Sequence, residues 1–175
     1  QPTEQVAPKG APVILDIDGN LDGLINPNEN CNITFTLKNW GNITANNVQA
    51  TLATANPDFV EIINSGPISF GNLTPGGEST GNPMQVFVKP RCPVGQEITF
   101  QLHVTSSTSS WDYDHDAIVT GCVLMQQSYV VYDIESGNGN FRMDPGETVK
   151  LVVSVENIGE DIAPDVMAML TSSDP

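Results

Sequence analysis

The sequence predicts an all-β fold built from two-sheet antiparallel sandwiches in tandem. Short segments in which apolar and polar side chains alternate recur along the chain, separated by glycine, proline and asparagine, which is typical of strands joined by tight turns. No segment of useful length carries apolar residues at helical spacing. A stretch near the start of the chain is repeated near its end, so one module is expected twice.

Candidate strands follow from the alternation itself. It is clearest from Cys31 to Leu37 and from Ile98 to Val104, where every second side chain is apolar, the pattern of a strand with one face toward solvent. About eight short strands in a unit of roughly 100 residues favour an immunoglobulin-like antiparallel β-sandwich. The remaining predicted strands are Val13–Leu15, Val48–Leu52, Phe59–Ile63, Ile68–Phe70, Met84–Val88 and Ala117–Val119.

The repeat defines the domain organisation. Pro27–Pro57 aligns without a gap with Pro145–Pro175, and a period of this length indicates serial domains rather than a solenoid. We expect a first domain at 10–121, a linker at 122–127 and a second copy at 128–175. The second copy is expected to be truncated, because about three strands cannot bury two sheets. This predicts either a divided domain or self-association through an open strand edge.

Acidic residues dominate the charge. Lys and Arg number 6 against 21 Asp and Glu, a formal net charge of -15. Such a chain repels nucleic-acid phosphates and anionic membrane surfaces, and it suits cationic partners, including metal ions. No apolar segment is long enough to span a membrane. Of the 3 cysteines, Cys31 aligns with Val149 and is expected to be a buried free thiol.

The segment from Asp18 to Glu29 matches the calcium loop of EF-hands. In that pattern alternate residues point oxygen atoms inward, a glycine allows a sharp turn, and a final glutamate closes the cage. Gly23 and Glu29 occupy the last two roles. The predicted Ca²⁺ ligands are Asp18, Asn20, Asp22, Asn26, Glu29 and the backbone carbonyl of Leu24, with Asp16 as a replacement ligand or a supporting residue.

The flanks of this loop differ from those of an EF-hand. Val13–Leu15 before it and Cys31–Leu37 after it have the pattern of strands, so no helix pair is present to open on calcium binding. We expect the ion to clamp the connection between two strands and to offset repulsion among the loop carboxylates. The alternative is a solvated acidic turn that binds nothing, since Asp, Asn and Gly are common in turns.

The second copy carries a degraded version of the loop. Phe141 replaces the glycine of the sharp turn, and the copy has one extra residue between its opening acids and its first glycine. Asp133 and Glu135 are candidates to compensate. A hydrogen-bonded turn without metal is the alternative. The equivalent candidate ligands are Ser136, Asn138, Asn140, Arg142 through its carbonyl, Asp144 and Glu147.

Other candidate sites are weaker. Between Trp111 and Asp116 the aspartates share one face of a strand while His115 points the other way, which predicts a wet acidic face, with a weak cation site as the alternative. Trp40, Trp111 and Tyr113 suit stacking on sugars, so a carbohydrate-binding module is the alternative function. No enzyme is expected, and a Cys–His dyad of a cysteine peptidase is a remote alternative.

Several short motifs together resemble a known module. The acidic loop is followed by Pro27-Asn28-Glu29 and Asn39-Trp40-Gly41, and the second copy has Asp144-Pro145-Gly146-Glu147 and Asn157-Ile158-Gly159. This set resembles the immunoglobulin-like adhesion repeats found beside catalytic domains in secreted surface proteins of Bacteroidetes, including gingipain-like cysteine peptidases. The resemblance covers most of residues 13–120 and the segment after 128. It implies a non-catalytic structural or adhesive region of a secreted, cell-surface protein, with neighbouring domains and surface proteins or glycans as partners.

Overall fold

The computed structural model describes residues 1–133, 137–159, 161–163 and 165–172. The chain forms two compact units, Gln1–Gly121 and Cys122–Pro175. The first unit includes residues before the predicted start at residue 10, because a strand at Val6–Pro8 pairs into it. The predicted linker at 122–127 is partly a strand, which runs over Leu124–Tyr132.

The first unit contains only strands, turns and loops, and all its strand ladders are antiparallel. One sheet has the strand order β11-β10-β5-β7, a second has β2-β3-β9-β6, and a third has β1-β4-β8. The predicted all-β, immunoglobulin-like antiparallel β-sandwich is therefore confirmed. The strands are β1 (Val6–Pro8), β2 (Val13–Asp16), β3 (Glu29–Thr34), β4 (Thr36–Asn39), β5 (Ala45–Thr54), β6 (Val60–Ile62), β7 (Ile68–Leu73), β8 (Glu78–Thr80), β9 (Met84–Val88), β10 (Glu97–Thr105) and β11 (Ser110–Ile118).

The segment predicted as one strand from Cys31 to Leu37 is divided between two sheets. β3 pairs with β9, whereas β4 pairs with β8, and Phe35 stands between them. Gly81 lies opposite this break, and its N–H donates to the carbonyl of Phe35. Phe35 is nearly buried like its alternate neighbours Ile33 and Leu37, so the change of sheet leaves the apolar alternation intact.

Three further strands differ from the sequence prediction, one by merging into a longer strand and two because they are very short. Ala117–Val119 is no separate strand, because Ala117 belongs to β11, which starts at Ser110. β1 and β8 were not predicted, since neither carries a repeated apolar alternation in its three residues. Short edge strands of this kind are specified by their partners in the ladder more than by their own composition.

The core lies between the sheets, and it also holds the acidic loop through one residue inside that loop. Phe100, Leu102, Ile33 and Leu37 are almost fully buried, and each contributes about 1.5–3 kcal/mol by leaving water. Ile25, within the loop between β2 and β3, is 2% exposed and bridges to Val119 beyond the end of β11. The loop is thereby attached to the sandwich at a point between its two ends.

The second unit contains an antiparallel pair, β12 (Leu124–Tyr132) and β13 (Lys150–Asn157), joined by a long loop. Its register copies that of the first unit: Val131 lies opposite Leu151 as Ile14 lies opposite Ile33. β12 thus takes the places of both β1 and β2. Among the residues that the structure describes, no helix is long and apolar enough to cross a membrane.

Candidate metal centre

The loop at residues 17–28 connects β2 to β3 and is closed by strand pairing at its base. Asp16 lies opposite Cys31, and the N–H of Ile17 donates to the carbonyl of Asn30 at 2.8 Å. The turn inside the loop needs left-handed backbone, which Gly19 (φ 90°) and Gly23 (φ 79°) adopt at little cost. The chain consequently folds back over the first residue of β3.

That first residue, Glu29, lies at the centre of the site. It is 2% exposed, and its carboxylate accepts hydrogen bonds from the N–H groups of Asn20 (3.4 Å) and Asn26 (3.3 Å). Burial raises the pKa of Glu29, and the nearby charges of Asp16 and Asp22 raise it further. A buried carboxylate surrounded by like charges is an arrangement that a cation would relieve.

Asp16 supplies the second carboxylate. Its Oδ1 accepts a hydrogen bond from the N–H of Gly23 at 2.8 Å. Its Oδ2 is buried, and within the described part of the chain it has no hydrogen-bond partner. A buried carboxylate oxygen without a partner carries a desolvation cost of about 1–3 kcal/mol or more, so this atom marks a position where a ligand is missing.

Amide groups fill the space between the carboxylates. The Nδ2 of Asn20 donates to Asp22 Oδ2 at 3.0 Å and to Asn26 Oδ1 at 3.4 Å. The side chain of Asp22 also accepts from the N–H of Leu24 at 2.7 Å. Oxygens from two residues therefore converge on one partly positive nitrogen.

The two remaining predicted ligands differ in how they are placed. Both carboxylate oxygens of Asp18 accept hydrogen bonds from Asn30, one from its N–H and one from its Nδ2, each at 2.7 Å. These bonds lower the pKa of Asp18. Leu24 is 44% exposed, and its N–H donates to Asp22 Oδ1; it was predicted as a ligand only through its carbonyl.

The second unit repeats this loop in detail. The N–H of Asn138 donates to Glu147 Oε1 at 2.9 Å, as Asn20 does to Glu29. The Nδ2 of Asn138 donates to Asp144 Oδ2 at 2.9 Å, and Phe141 takes a left-handed φ of 61° where Gly23 has 79° in the first loop. At these described positions the degraded motif has therefore kept the hydrogen bonds and the left-handed turn of the first loop.

Two further carboxylates of the second loop are buried or have a buried oxygen: Asp133, before the predicted ligand set, and Glu147, the last residue of that set. Asp133 is 1% exposed and accepts hydrogen bonds from the N–H groups of Asn140 (2.9 Å) and Phe141 (3.3 Å). Glu147 Oε2 is buried and, among the described residues, has no hydrogen-bond partner. The predicted ligand Ser136 and the candidate Glu135 lie outside the described residues. The side chain of Arg142 is exposed.

Carboxylates alone do not complete either loop. Across the described ranges, no three His, Cys, Asp or Glu side chains form a group that could hold a metal ion by themselves. The asparagine and backbone oxygens would have to supply the remaining ligands, as they do in calcium loops of this spacing.

The acidic run from Trp111 to Asp116 lies on β11 with the predicted alternation. Asp112, Asp114 and Asp116 are exposed, while Trp111, Tyr113 and His115 are half-buried. Asp112 pairs with His103 Nδ1 at 2.6 Å, and Asp116 accepts from the hydroxyl of Thr99 at 2.6 Å. This face of β11 is acidic and exposed to solvent, and two of its carboxylates interact with side chains on β10.

Two of the three cysteines, Cys31 and Cys92, are in surroundings that do not activate a thiol. Cys31 and Cys92 are buried free thiols, and Cys122 is an exposed one. Burial, followed by the neighbouring charges of Glu29 and Asp16, raises the pKa of Cys31 to about 12. Burial also raises the pKa of Cys92. A raised pKa favours the inert thiol over the reactive thiolate.

Comparison of the chain with protein-family models matches no family, and comparison with curated proteins gives no matching relative.

Proposed function

We propose that this chain is a non-catalytic module stabilised by calcium, part of a larger secreted or cell-surface bacterial protein in which it has a structural or adhesive role. The observation that carries the proposal is at the loop of residues 17–28, where Glu29 is buried, the charge of Asp16 acts on it, and the buried Asp16 Oδ2 has no hydrogen-bond partner among the described residues. Carboxylates are buried only when they are paired or bind a metal.

The residues of this loop fit a calcium ion in both charge and chemistry. Asp16, Asp22 and Glu29 bring three carboxylates, which would leave a net charge of about -1 with a divalent ion bound. Asn20 and Asn26 add amide oxygens, and Leu24 adds a carbonyl. Magnesium fits less well, because it prefers a rigid octahedron and retains its water ligands.

The expected effect of the ion is to stiffen the module. The loop joins β2 to β3 and is attached through Ile25 to residues beyond the end of β11, where Thr120 N–H donates to the carbonyl of Ile25 at 2.8 Å. An ion in the loop would hold three strands of the sandwich together at one end. Strands flank the loop on both sides, so the opening of a helix pair, as in calcium sensors, does not apply.

The setting is proposed from the motif resemblance and from charge. The -15 net charge disfavours nucleic acid and anionic membranes and suits a calcium-rich exterior. Neighbouring domains, such as a peptidase to which the module is accessory, are the proposed partners, together with protein or glycan ligands at the surface. Burial of the Cys31 and Cys92 thiols speaks against a cysteine peptidase in this chain.

A carbohydrate-binding function has less support. Trp111 and Tyr113 pack against the core, and the Tyr113 hydroxyl donates to the carbonyl of Val6 at 2.7 Å. Trp40 is 56% exposed, but the ammonium of Lys38 lies 4.6 Å from the centre of its ring. These three aromatics therefore do not present a shared open platform for a sugar.

Thermal melting with calcium and with a chelator tests the proposal. We expect saturating Ca²⁺ to raise the melting temperature by roughly 5–15 °C, the size expected from ligand concentrations near 100 times the dissociation constant. Glu29→Ala and Asp22→Ala should reduce this rise, while Asp58→Ala, at an exposed acid outside the loop, should keep it. Samples are matched in ionic strength, and Mg²⁺ serves as the second ion. Equal melting with calcium and chelator would refute the proposal.

A further inference from the structure

The sequence motif places the first acidic ligand of the first loop at Asp18, but in the structure the Asp18 carboxylate makes other contacts. Both Asp18 oxygens are engaged by Asn30 at the start of β3. Asp16, at the end of β2, instead contributes to the charge around Glu29 and holds a buried oxygen without a partner among the described residues. Asp18 is exposed whereas Asp16 Oδ2 is buried, so Asp16 is the better placed of the two to contact an ion inside the loop.

The same position is occupied by an acid in the second loop. Asp133 follows β12 as Asp16 ends β2, and each carboxylate accepts an N–H from the turn: Gly23 in the first loop, Asn140 and Phe141 in the second. Asp133 is 1% exposed. The ungapped repeat alignment pairs Asp16 with Ile134, so this equivalence arises from the folded loops and the strand register.

Counted from these positions, the two candidate ligand sets contain the same number of carboxylates, three in each loop. The first has Asp16, Asp22 and Glu29, and the second has Asp133, Asp144 and Glu147. At the two intermediate positions an acid and an amide have been exchanged: Asp22 and Asn26 in the first loop correspond to Asn140 and Asp144 in the second. A random loss of acids would not preserve three carboxylates, whereas a requirement to neutralise one divalent ion would.

We propose that in both loops the first carboxylate ligand comes from the strand before the loop, Asp16 in the first and Asp133 in the second, and that the second loop therefore binds its own Ca²⁺. Asp18 is a structural clamp on Asn30. This inference rests on the proposed calcium function of the first loop. It adds a second site and changes the ligand at the opening of both.

Calcium stoichiometry and affinity test the ligand assignment in the full chain. Isothermal titration with Ca²⁺ should give two ions for the wild type. Asp16→Asn and Asp133→Asn should each weaken one site by at least about tenfold, and the double variant should weaken both. Asp18→Asn should keep both sites within about threefold. Asparagine retains one accepting oxygen, so Asp16→Asn keeps the hydrogen bond from Gly23, while Asp18→Asn and Asp133→Asn each keep one of the two bonds that the carboxylate accepts.

Melting in chelator separates a ligand from a clamp. Asp16→Asn removes a charge that repels Asp22 and Glu29, so the calcium-free protein should melt at the wild-type temperature or higher while its calcium response falls. Asp18→Asn should show the reverse, with a lower calcium-free melting temperature and an intact response. A variant that fails to fold is detected in the same measurement, and the charge-neutral pair Asp16→Ser and Asp18→Ser then repeats the comparison.

The outcomes distinguish this inference from the proposed function. Binding that depends on Asp18 and not on Asp16 would overturn the ligand assignment while leaving a calcium module. One ion per chain, unaffected by Asp133→Asn, would overturn the second site. No calcium binding at all would overturn the proposed function together with both assignments.

Discussion

At the scale of single residues, Gly19 determines whether Glu29 can occupy the loop. Gly19 has φ 90°, and a Cβ built there would lie 1.9 Å from Glu29 Oε1. Any other residue would both strain the backbone and push the carboxylate out of its buried position. The absence of a side chain here is therefore a requirement of the candidate site as well as of the turn.

Gly19→Ala is predicted to cost about 1–2 kcal/mol in the calcium-free protein, from the left-handed backbone and the displaced Glu29. It should also abolish most of the calcium-dependent rise in melting temperature. Gly10→Ala is the matched control, since Gly10 has a similar φ of 77° but nothing within 4 Å of its would-be Cβ. That control should show the backbone cost and keep the calcium response. Urea unfolding with and without Ca²⁺ measures both, and an equal calcium response in the two variants would contradict the prediction.

Much of the candidate site could be predicted at this scale, and Asp16 was among the candidates, but the sequence could not choose between Asp16 and Asp18 as the opening ligand. Spacing alone identified Asn20, Asp22, Asn26 and Glu29, because alternate positions of a tight loop converge on one point. The roles of Asp16 and Asp18 depend on hydrogen bonds with Gly23 and Asn30. Those bonds form only once β2 and β3 are paired, so no sequence pattern contains them.

At the scale of elements, β11 combines an acidic outer face with an inner face that carries a histidine. His115 borders a groove of about 270 Å³ lined by Phe35, Leu102 and Tyr113. Burial lowers the pKa of His115, and the nearby charge of Asp116 opposes this in part. The folded protein therefore holds the imidazole in its neutral form more strongly than the unfolded chain does.

Acidification is predicted to destabilise the first unit through His115. The folded-state pKa of His115 lies below the unfolded value of 6.5. The stability that the neutral imidazole contributes is therefore complete above pH 6.5 and is lost as the pH falls from 6.5 toward the folded pKa. His115→Gln should therefore lose less stability than the wild type between pH 8 and pH 5. Urea unfolding measures the stability of both proteins at each pH. Subtracting one stability from the other cancels the contribution of the carboxylates that both proteins share. Parallel pH profiles for the two proteins would show that His115 is not the group responsible.

The division of one predicted strand into β3 and β4 shows what alternation cannot report. Ile33, Phe35 and Leu37 all face the core, so the sequence reads as continuous even though the chain changes sheet at Phe35. The cause lies between the partner strands. Gly81 and Pro83 separate β8, which pairs with β4, from β9, which pairs with β3. A pattern of one segment reports its buried face but not its partner.

At the scale of the whole molecule, the first nine residues belong to the first unit. Val6 is fully buried, and the carbonyls of Thr3 and Gln5 accept hydrogen bonds from the N–H groups of Asn42 and Trp40 at 3.0 and 2.7 Å. The predicted domain start at residue 10 omitted them, because Val6–Pro8 offers no alternation to recognise. Tertiary pairing with β4 alone makes this segment a strand.

Removing this segment is therefore predicted to weaken the whole sandwich. A chain of residues 10–121 should be less stable than one of residues 1–121 by about 3–5 kcal/mol, since it loses the burial of Val6 and several backbone hydrogen bonds. A chain of residues 3–121, which keeps β1, should stay within about 1 kcal/mol of the longer form. Val6→Ala in residues 1–121 should account for about 1.5–3 kcal/mol of the loss. Guanidinium unfolding of the four proteins measures these differences. Equal stability of the 10–121 and 1–121 chains would mean that β1 does not contribute to the stability of the sandwich.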